Sequence, residues 1–170
     1  MRFIDGRLGF SILTREEIVG LIDMLYGFKD RKGTVWNIKS VGRSASFNGH
    51  HMYNPNTREH TVSLCEPNIR LCIKQGRRDF GGDAKIEDID ERKAMASVLS
   101  HEIQHANQTH SHRGDSSFYG YIGGKDRRGR WRMRRYKNRE CEIDARRFAD
   151  ERMDDVMAYL RGDRTLAANR

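Results

Sequence analysis

The segment His101-Glu102-Ile103-Gln104-His105 carries the residues of this chain whose types and spacing point most directly to chemistry. On a helix, residues four positions apart lie on the same face, about 6 Å apart along the axis. Two neutral imidazoles in that arrangement can bind one Zn²⁺ at about 2.1 Å. Glu102 lies beside that face, where its carboxylate can take a proton from water. The segment therefore predicts a zinc site, with Glu102 as the general base of a hydrolase.

A catalytic zinc ion usually has three protein ligands and keeps its fourth position open, so the two histidines need a partner. Glu142 is followed on its own helical face by Ala145 and Ala149. Small residues on that face would let this helix lie close to the metal-binding helix. We therefore expect Glu142 to be the third ligand, with Glu140 as the alternative.

The elements that would position these residues can be predicted from spacing. Thr14 and Glu17 have the pattern of a capping box, and apolar residues at helical spacing follow, which predicts a first helix over 15–28. Residues typical of β-structure, separated by turn signals, predict four short antiparallel strands at 34–41, 44–53, 60–66 and 69–74. The HExxH helix should begin near 88 or 90 and end near 108, and a last helix should cover 139–160.

These elements predict an α+β fold in which an N-terminal helix and a small antiparallel sheet precede the HExxH helix and the third-ligand helix. The length of 170 residues is enough for one domain, which we expect to span 1–170. Residues 118–138 have the alternation and the Gly-containing turn of a β-ribbon. We expect a basic, ribbon-like insertion at about 110–139.

The positive charge of the chain is concentrated in one segment. Residues 125–139 contain nine Lys or Arg and one Asp, which equals the whole net charge of +8. Arginines beside aromatic side chains suit phosphates and bases, so this segment could bind nucleic acid or another anionic partner. A solvated surface with no ligand is the alternative interpretation. The candidate contact residues are Arg128, Arg130, Trp131, Arg132, Arg134 and Arg135.

Composition limits the class of protein further. The cysteines Cys65, Cys72 and Cys141 form no Cys-x-x-Cys pair, and their odd number argues against a disulfide framework. No apolar stretch approaches the roughly 20 residues needed to span a bilayer, and the N-terminus lacks the apolar region of a secretory signal. We expect a soluble, cytoplasmic protein that does not contact membranes.

Two segments together resemble a known family. HEIQH at 101–105 and EIDARRFA at 142–149 are similar to the motifs of gluzincin-type zinc metallopeptidases, within them the small ImmA/IrrE-like and phage-encoded peptidases. The resemblance implies a zincin-like fold, zinc bound by His101, His105 and Glu142, and water activated by Glu102. It also implies that an edge strand, here IRLCIK at 69–74, holds extended substrate. Arg146 departs from the pattern, because many gluzincins have Asp or Asn there to brace a zinc-binding histidine.

The expected activity is hydrolysis of peptide bonds in a protein or peptide substrate, and proteins associated with DNA are one candidate substrate class. Tyr136 is the candidate donor to the tetrahedral oxyanion, with His110, His112 and Tyr119 as alternatives. Two other functions stay open. The protein could bind nucleic acid through residues 125–139 and hold a structural zinc ion, or it could be a virion or assembly protein whose zinc site is unused.

Overall fold

The computed structural model describes residues 2–5, 9–28, 33–43, 47–78, 80–113, 115, 118–125, 131–133 and 138–163. Helices α1 (Arg15–Leu25), α2 (Glu66–Lys74), α3 (Glu91–Ser111) and α4 (Glu140–Leu160) are combined with two small sheets. The first sheet contains β1 (Arg2–Asp5), β2 (Val35–Ser40), β3 (Gly49–Asn54) and β4 (Glu59–Leu64); the second contains β5 (Tyr121–Lys125) and β6 (Trp131–Met133). The predicted α+β class is confirmed.

The four-stranded sheet is mixed, so the prediction of an antiparallel sheet was wrong. Its strand order is β1-β2-β4-β3, with β1, β2 and β4 parallel and β3 antiparallel to β4. Helix α1 lies between β1 and β2 in the chain and forms the crossover that a parallel pair requires. Strand β1, which the sequence pattern did not predict, occupies one edge of the sheet, and β3 occupies the other.

The segment at 69–74 is helical, which corrects the prediction of a strand there. Its apolar residues alternate like those of a strand, but Ile69 and Ile73 are also four residues apart and share one helical face. Pro67 lies at the start of α2, where proline favours a helix. The buried Glu66 carboxylate accepts hydrogen bonds from the backbone N–H groups of Ser11 and Ile12 and so ties this helix end to the N-terminal region.

The remaining elements follow the predictions closely. Thr14 and Glu17 form the capping box at the start of α1, and the Asp90 side chain caps α3. The hydrophobic core lies between the sheet, α1 and α3. Its fully buried large side chains include Leu21, Ile22, Trp36, Leu64, Met95, Leu99 and Ile103. Helix α3 packs both on this core and on α4, and the HExxH segment contributes to both contacts through Ile103, His101 and His105.

The basic insertion is described only in part. Strands β5 and β6 pair antiparallel, as expected of a ribbon. Tyr136, Arg128, Arg130, Arg134 and Arg135 lie outside the described residues, and Trp131 and Arg132 are described as backbone of β6 only. Within the described part of the chain, no helix combines the length and hydrophobicity needed to cross a membrane.

Candidate metal centre

Helix α3 brings the two histidines of the motif together. The Nε2 atoms of His101 and His105 are 3.1 Å apart, and their rings meet nearly edge to face. The two residues lie one helical turn apart, on the side of α3 that faces α4. The predicted juxtaposition of the two imidazoles is therefore present.

Helix α4 contributes Glu142 to the same point. Its Oε2 lies 3.4 Å from Nε2 of His101, and its Oε1 lies 3.5 Å from Nε2 of His105. Ala145 and Ala149 are completely buried, as expected for the face on which α4 approaches α3. Glu142 is only 5% exposed, whereas Glu140 is exposed at the helix start. We call His101, His105 and Glu142 the metal triad.

Hydrogen bonds to the other ring nitrogens determine which nitrogens of the triad carry protons. Nδ1 of His101 donates to the Gly81 carbonyl oxygen at 2.7 Å. Nδ1 of His105 donates to Oε1 of Gln108 at 2.8 Å, because the Gln108 amide nitrogen already donates to two oxygens, those of Cys141 and Asp144. In neutral imidazoles the proton therefore lies on Nδ1, and both Nε2 lone pairs converge on the Glu142 carboxylate.

This donor set fits a divalent metal ion. Three electron-rich atoms lie together with no proton between the two imidazoles, and a cation relieves their mutual repulsion. Ligands at the usual zinc distances of about 2.0–2.1 Å in a tetrahedron are about 3.3–3.4 Å apart, close to the separations seen here. Burial lowers the pKa of His105, but Glu142, Glu102 and Gln108 together outweigh burial and raise it. The site thus favours positive charge, and the triad could hold a metal ion.

The carbonyl that orients His101 belongs to a tightly held loop. The Gly81 N–H donates to the Ser97 hydroxyl at 3.0 Å, and a side chain at Gly81 would place its Cβ 1.9 Å from the Ser97 carbonyl oxygen. Asp150 on α4 accepts from the backbone N–H groups of Asp83 and Ala84. The sequence indicated only a polar loop here, because a backbone acceptor has no signature of its own.

Asp144 anchors the groups behind His105. Its Oδ2 accepts from the side-chain amides of Gln104 and Gln108 at 2.7 and 2.8 Å, and its Oδ1 accepts from Arg147. Burial disfavours the charged carboxylate, but these hydrogen bonds outweigh burial and lower its pKa. The brace of His105 thus comes from Gln108, three residues later, and not from position 146. Arg146 instead pairs with Asp83 at 2.8 Å.

Glu102 lies beside the triad and lines the cleft next to it. Burial raises the pKa of its carboxyl group, which is 6% exposed. Gly49 of β3 makes this arrangement possible, since a Cβ at that position would lie 2.8 Å from Oε1 of Glu102 and 2.5 Å from Val98. Strand β3 therefore passes directly over the predicted general base.

Two cavities meet at the triad and share Gly49, His50, Glu102 and Glu142 in their walls. One has a volume of about 530 Å³ and is also lined by His51, His105, Thr109, Tyr119, Arg139 and Cys141. The other has a volume of about 760 Å³ and is also lined by Phe47, Arg77, Phe80, Val98, His101 and Arg146. Together they form a cleft that extends to both sides of the triad.

A second group of histidines, absent from the sequence predictions, lies next to the first cavity. His60 is completely buried, and its two ring nitrogens lie 2.9 Å from His51 Nε2 and 3.2 Å from His110 Nε2. The Tyr26 hydroxyl lies 3.3 Å from His60 Nε2. We call Tyr26, His51, His60 and His110 the histidine-tyrosine cluster. Strand register reveals it, because β3 and β4 pair so that His51 and His60 are diagonal neighbours.

Comparison of the chain with protein-family models, curated proteins and solved structures found no match. The interpretation of this site therefore rests on its own residues and their geometry.

Proposed function

We propose that this protein is a zinc-dependent metallopeptidase. The observation that carries the proposal is the convergence of His101, His105 and Glu142 within ligand-sharing distance, with the buried Glu102 beside them in a cleft. Two imidazoles and a carboxylate are a typical zinc set, and three protein ligands leave the fourth position for water or substrate. A zinc ion bound there would polarise a carbonyl group and lower the pKa of water.

Glu102 is placed to move the proton that peptide hydrolysis requires. Its carboxylate takes a proton from the attacking water as the oxygen bonds to the carbonyl carbon. The same group then delivers that proton to the amide nitrogen as the C–N bond breaks, which yields a carboxylate and an amine. Burial raises the pKa of Glu102, and a raised pKa suits a group that must both accept and return a proton near neutral pH.

Strand β3 is the proposed support for an extended substrate. It pairs with β4 and lies at the end of the strand order, next to both cavities through Gly49. A peptide can add to such an edge through main-chain hydrogen bonds. The family resemblance assigned this role to the segment at 69–74, but that segment is helical and cannot pair with a peptide in this way.

The test combines metal analysis with a matched pair of substitutions. Glu102→Gln removes the proton acceptor, and Glu140→Gln makes the same change at an exposed position of α4. We expect about one zinc ion per chain in the wild type and both variants. Turnover of a casein or peptide-library substrate should fall by about 10²–10⁴-fold in Glu102→Gln alone. Full activity of Glu102→Gln would reject its role, and absence of zinc would reject the proposal.

A second candidate function is nucleic-acid binding by the basic segment. The observation that favours it is the confinement of the net charge of +8 to residues 125–139. The two functions can combine in a peptidase that acts on DNA-associated proteins. Binding through several phosphate contacts should weaken steeply as salt concentration rises, so titration of labelled duplex and single-stranded DNA at increasing salt tests it. DNA binding that is absent even at low salt would reject this candidate.

A further inference from the structure

The histidine-tyrosine cluster reaches the proposed catalytic cleft through one residue, His51. This side chain lines the same cavity as Glu102, His105 and Glu142. On β3 it follows Gly49 by two positions, so both residues face α3. His51 therefore lies along the substrate-supporting strand, on the side that faces the triad.

One nitrogen of His51 is committed to the cluster, and the other is available to a ligand. Its Nε2 lies 2.9 Å from Nδ1 of His60. Among the described residues, no hydrogen bond involves Nδ1 of His51. A ligand oxygen in the cavity could therefore accept from an Nδ1–H group.

The cluster supplies a consistent direction for its hydrogen bonds. Nε2 of His60 lies 3.3 Å from the Tyr26 hydroxyl and 3.2 Å from Nε2 of His110; when it accepts from either group, Nδ1 of His60 carries the proton and donates to Nε2 of His51. His51 must then carry its own proton on Nδ1.

The surroundings of His60 keep the ring in place and neutral. Its ring stacks on Trp36 at 4.9 Å and contacts the rings of Tyr26 and Tyr53. Burial, with a smaller effect of His110, lowers the pKa of His60 to about 3. A fixed, neutral His60 can orient His51 without adding charge to the cleft.

We propose that Nδ1 of His51 donates a hydrogen bond to the oxyanion that forms in the cleft, and that His60 and Tyr26 are positioning residues for it. The inference rests on the proposed function for the origin of the oxyanion. A donor fixed in advance at that point stabilises the charge without reorganisation of the site. Tyr136, the donor expected from the sequence, lies outside the described residues.

Binding of inorganic phosphate to the zinc-loaded protein tests the donor without relying on turnover. Phosphate is a tetrahedral oxyanion, and calorimetry measures its affinity. A hydrogen bond to a charged group corresponds to about a ten- to hundredfold loss of affinity when the donor is removed, which we expect for His51→Ala. His51→Asn should retain part of the affinity, because its amide N–H lies near the position of Nδ1. Asn56→Ala is the control, since Asn56 is exposed in the turn that follows β3 and lies outside both cavity linings.

Tyr26→Phe tests the positioning role while keeping the buried ring. We expect a loss of phosphate affinity of about two- to fivefold, and no further loss when Tyr26→Phe is added to His51→Ala. An equal loss in both backgrounds would assign the effect of Tyr26 to packing and overturn its positioning role.

Turnover of a peptide library separates this inference from the proposed function. Phosphate affinity that depends on His51 supports the donor, even if the wild type hydrolyses no peptide, in which case the proposed function alone fails. Wild-type protein that binds no phosphate, or His51→Ala and His51→Asn variants that retain zinc, fold and bind it as well as the wild type, would overturn the inference.

Discussion

The metal triad and the histidine-tyrosine cluster both hold imidazole nitrogens about one hydrogen bond apart, yet their chemistry differs. In the triad, the facing Nε2 atoms of His101 and His105 are 3.1 Å apart, and both rings donate through Nδ1 to oxygen acceptors. In the cluster, the facing nitrogens of His51 and His60 are 2.9 Å apart, and one can donate to the other. The first pair could hold a cation between its lone pairs, whereas the second pair can share a proton.

The difference comes from the groups that surround each pair. The triad has a buried carboxylate in front, Glu142, and oxygen acceptors behind each ring. The cluster is surrounded by aromatic rings and a hydroxyl group, which keep His60 neutral. Histidine proximity is therefore not enough to indicate a metal site. The partners of the opposite ring nitrogens determine whether two imidazoles present lone pairs or share a proton.

Removal of the Glu142 carboxylate should have the largest effect, and it should affect the metal triad alone. Loss of a residue that hydrogen-bonds to a zinc ligand typically lowers zinc affinity by up to about 100-fold. We expect a larger loss for Glu142→Ala, because this substitution removes a proposed ligand itself. Glu140→Ala makes the same change at the exposed alternative and should leave affinity unchanged. Competition with a chromophoric chelator measures both. Zinc retained by the first variant and lost by the second would transfer the ligand role to Glu140.

The histidine-tyrosine cluster should affect the stability of the protein at acidic pH rather than its affinity for metal. The pKa of His60 is about 3 in the folded protein against 6.5 as its ordinary value, so its contribution to stability is present above pH 6.5 and is lost as the pH falls towards 3. Between pH 6.5 and about pH 4.5 this one group should lower the free energy of unfolding by about 2 kcal/mol. His60→Phe should remove that share of the slope, as measured by urea unfolding at several pH values. An unchanged slope would contradict the assignment.

Replacement of the brace behind His105 should have the next largest effect. Gln108→Met is close in size but removes the oxygen that accepts from Nδ1 of His105. We expect zinc affinity to fall by about 10–100-fold. Gln104→Met is the matched control, since Gln104 also donates to Asp144 but its oxygen accepts from Asn107 instead of a triad histidine. Equal losses in both variants would show that Asp144, and not the contact with His105, carries the effect.

The contrast also shows what the sequence could predict. Capping residues and helical spacing were enough to locate α1, α3 and α4, and the spacing of His101, His105 and Glu142 placed them on two helices that do meet. These signals are local, or depend on one face of one helix. The strand direction and the helix at 69–74 were missed, because alternation of apolar residues there fits both a strand and a short helix.

Two features depend on tertiary structure and could not be predicted from local patterns: the groups that hydrogen-bond to the triad histidines, and the histidine-tyrosine cluster. The Gly81 carbonyl reaches His101 because contacts with Ser97 and Asp150 hold its loop. His51 and His60 meet because β3 and β4 pair in one register, and a shift by one residue would direct them to opposite faces. Such contacts have no fixed spacing in the sequence.

The smallest effect should come from replacement of Arg147. This substitution tests whether the charge of Arg147 or the buried hydrogen bond from Gln108 supports His105. Arg147 donates to Oδ1 of Asp144 from a side chain that is 66% exposed, whereas Gln104 and Gln108 hold Oδ2 from the inner side. Exposed ion pairs contribute little, so Arg147→Ala should change the unfolding free energy by less than about 0.5 kcal/mol. Zinc affinity should change less than about twofold, because the Gln108 hydrogen bond to His105 persists. A tenfold loss of zinc affinity would mean that the Arg147 charge supports the triad through Asp144, and the order of effects argued above would then be wrong.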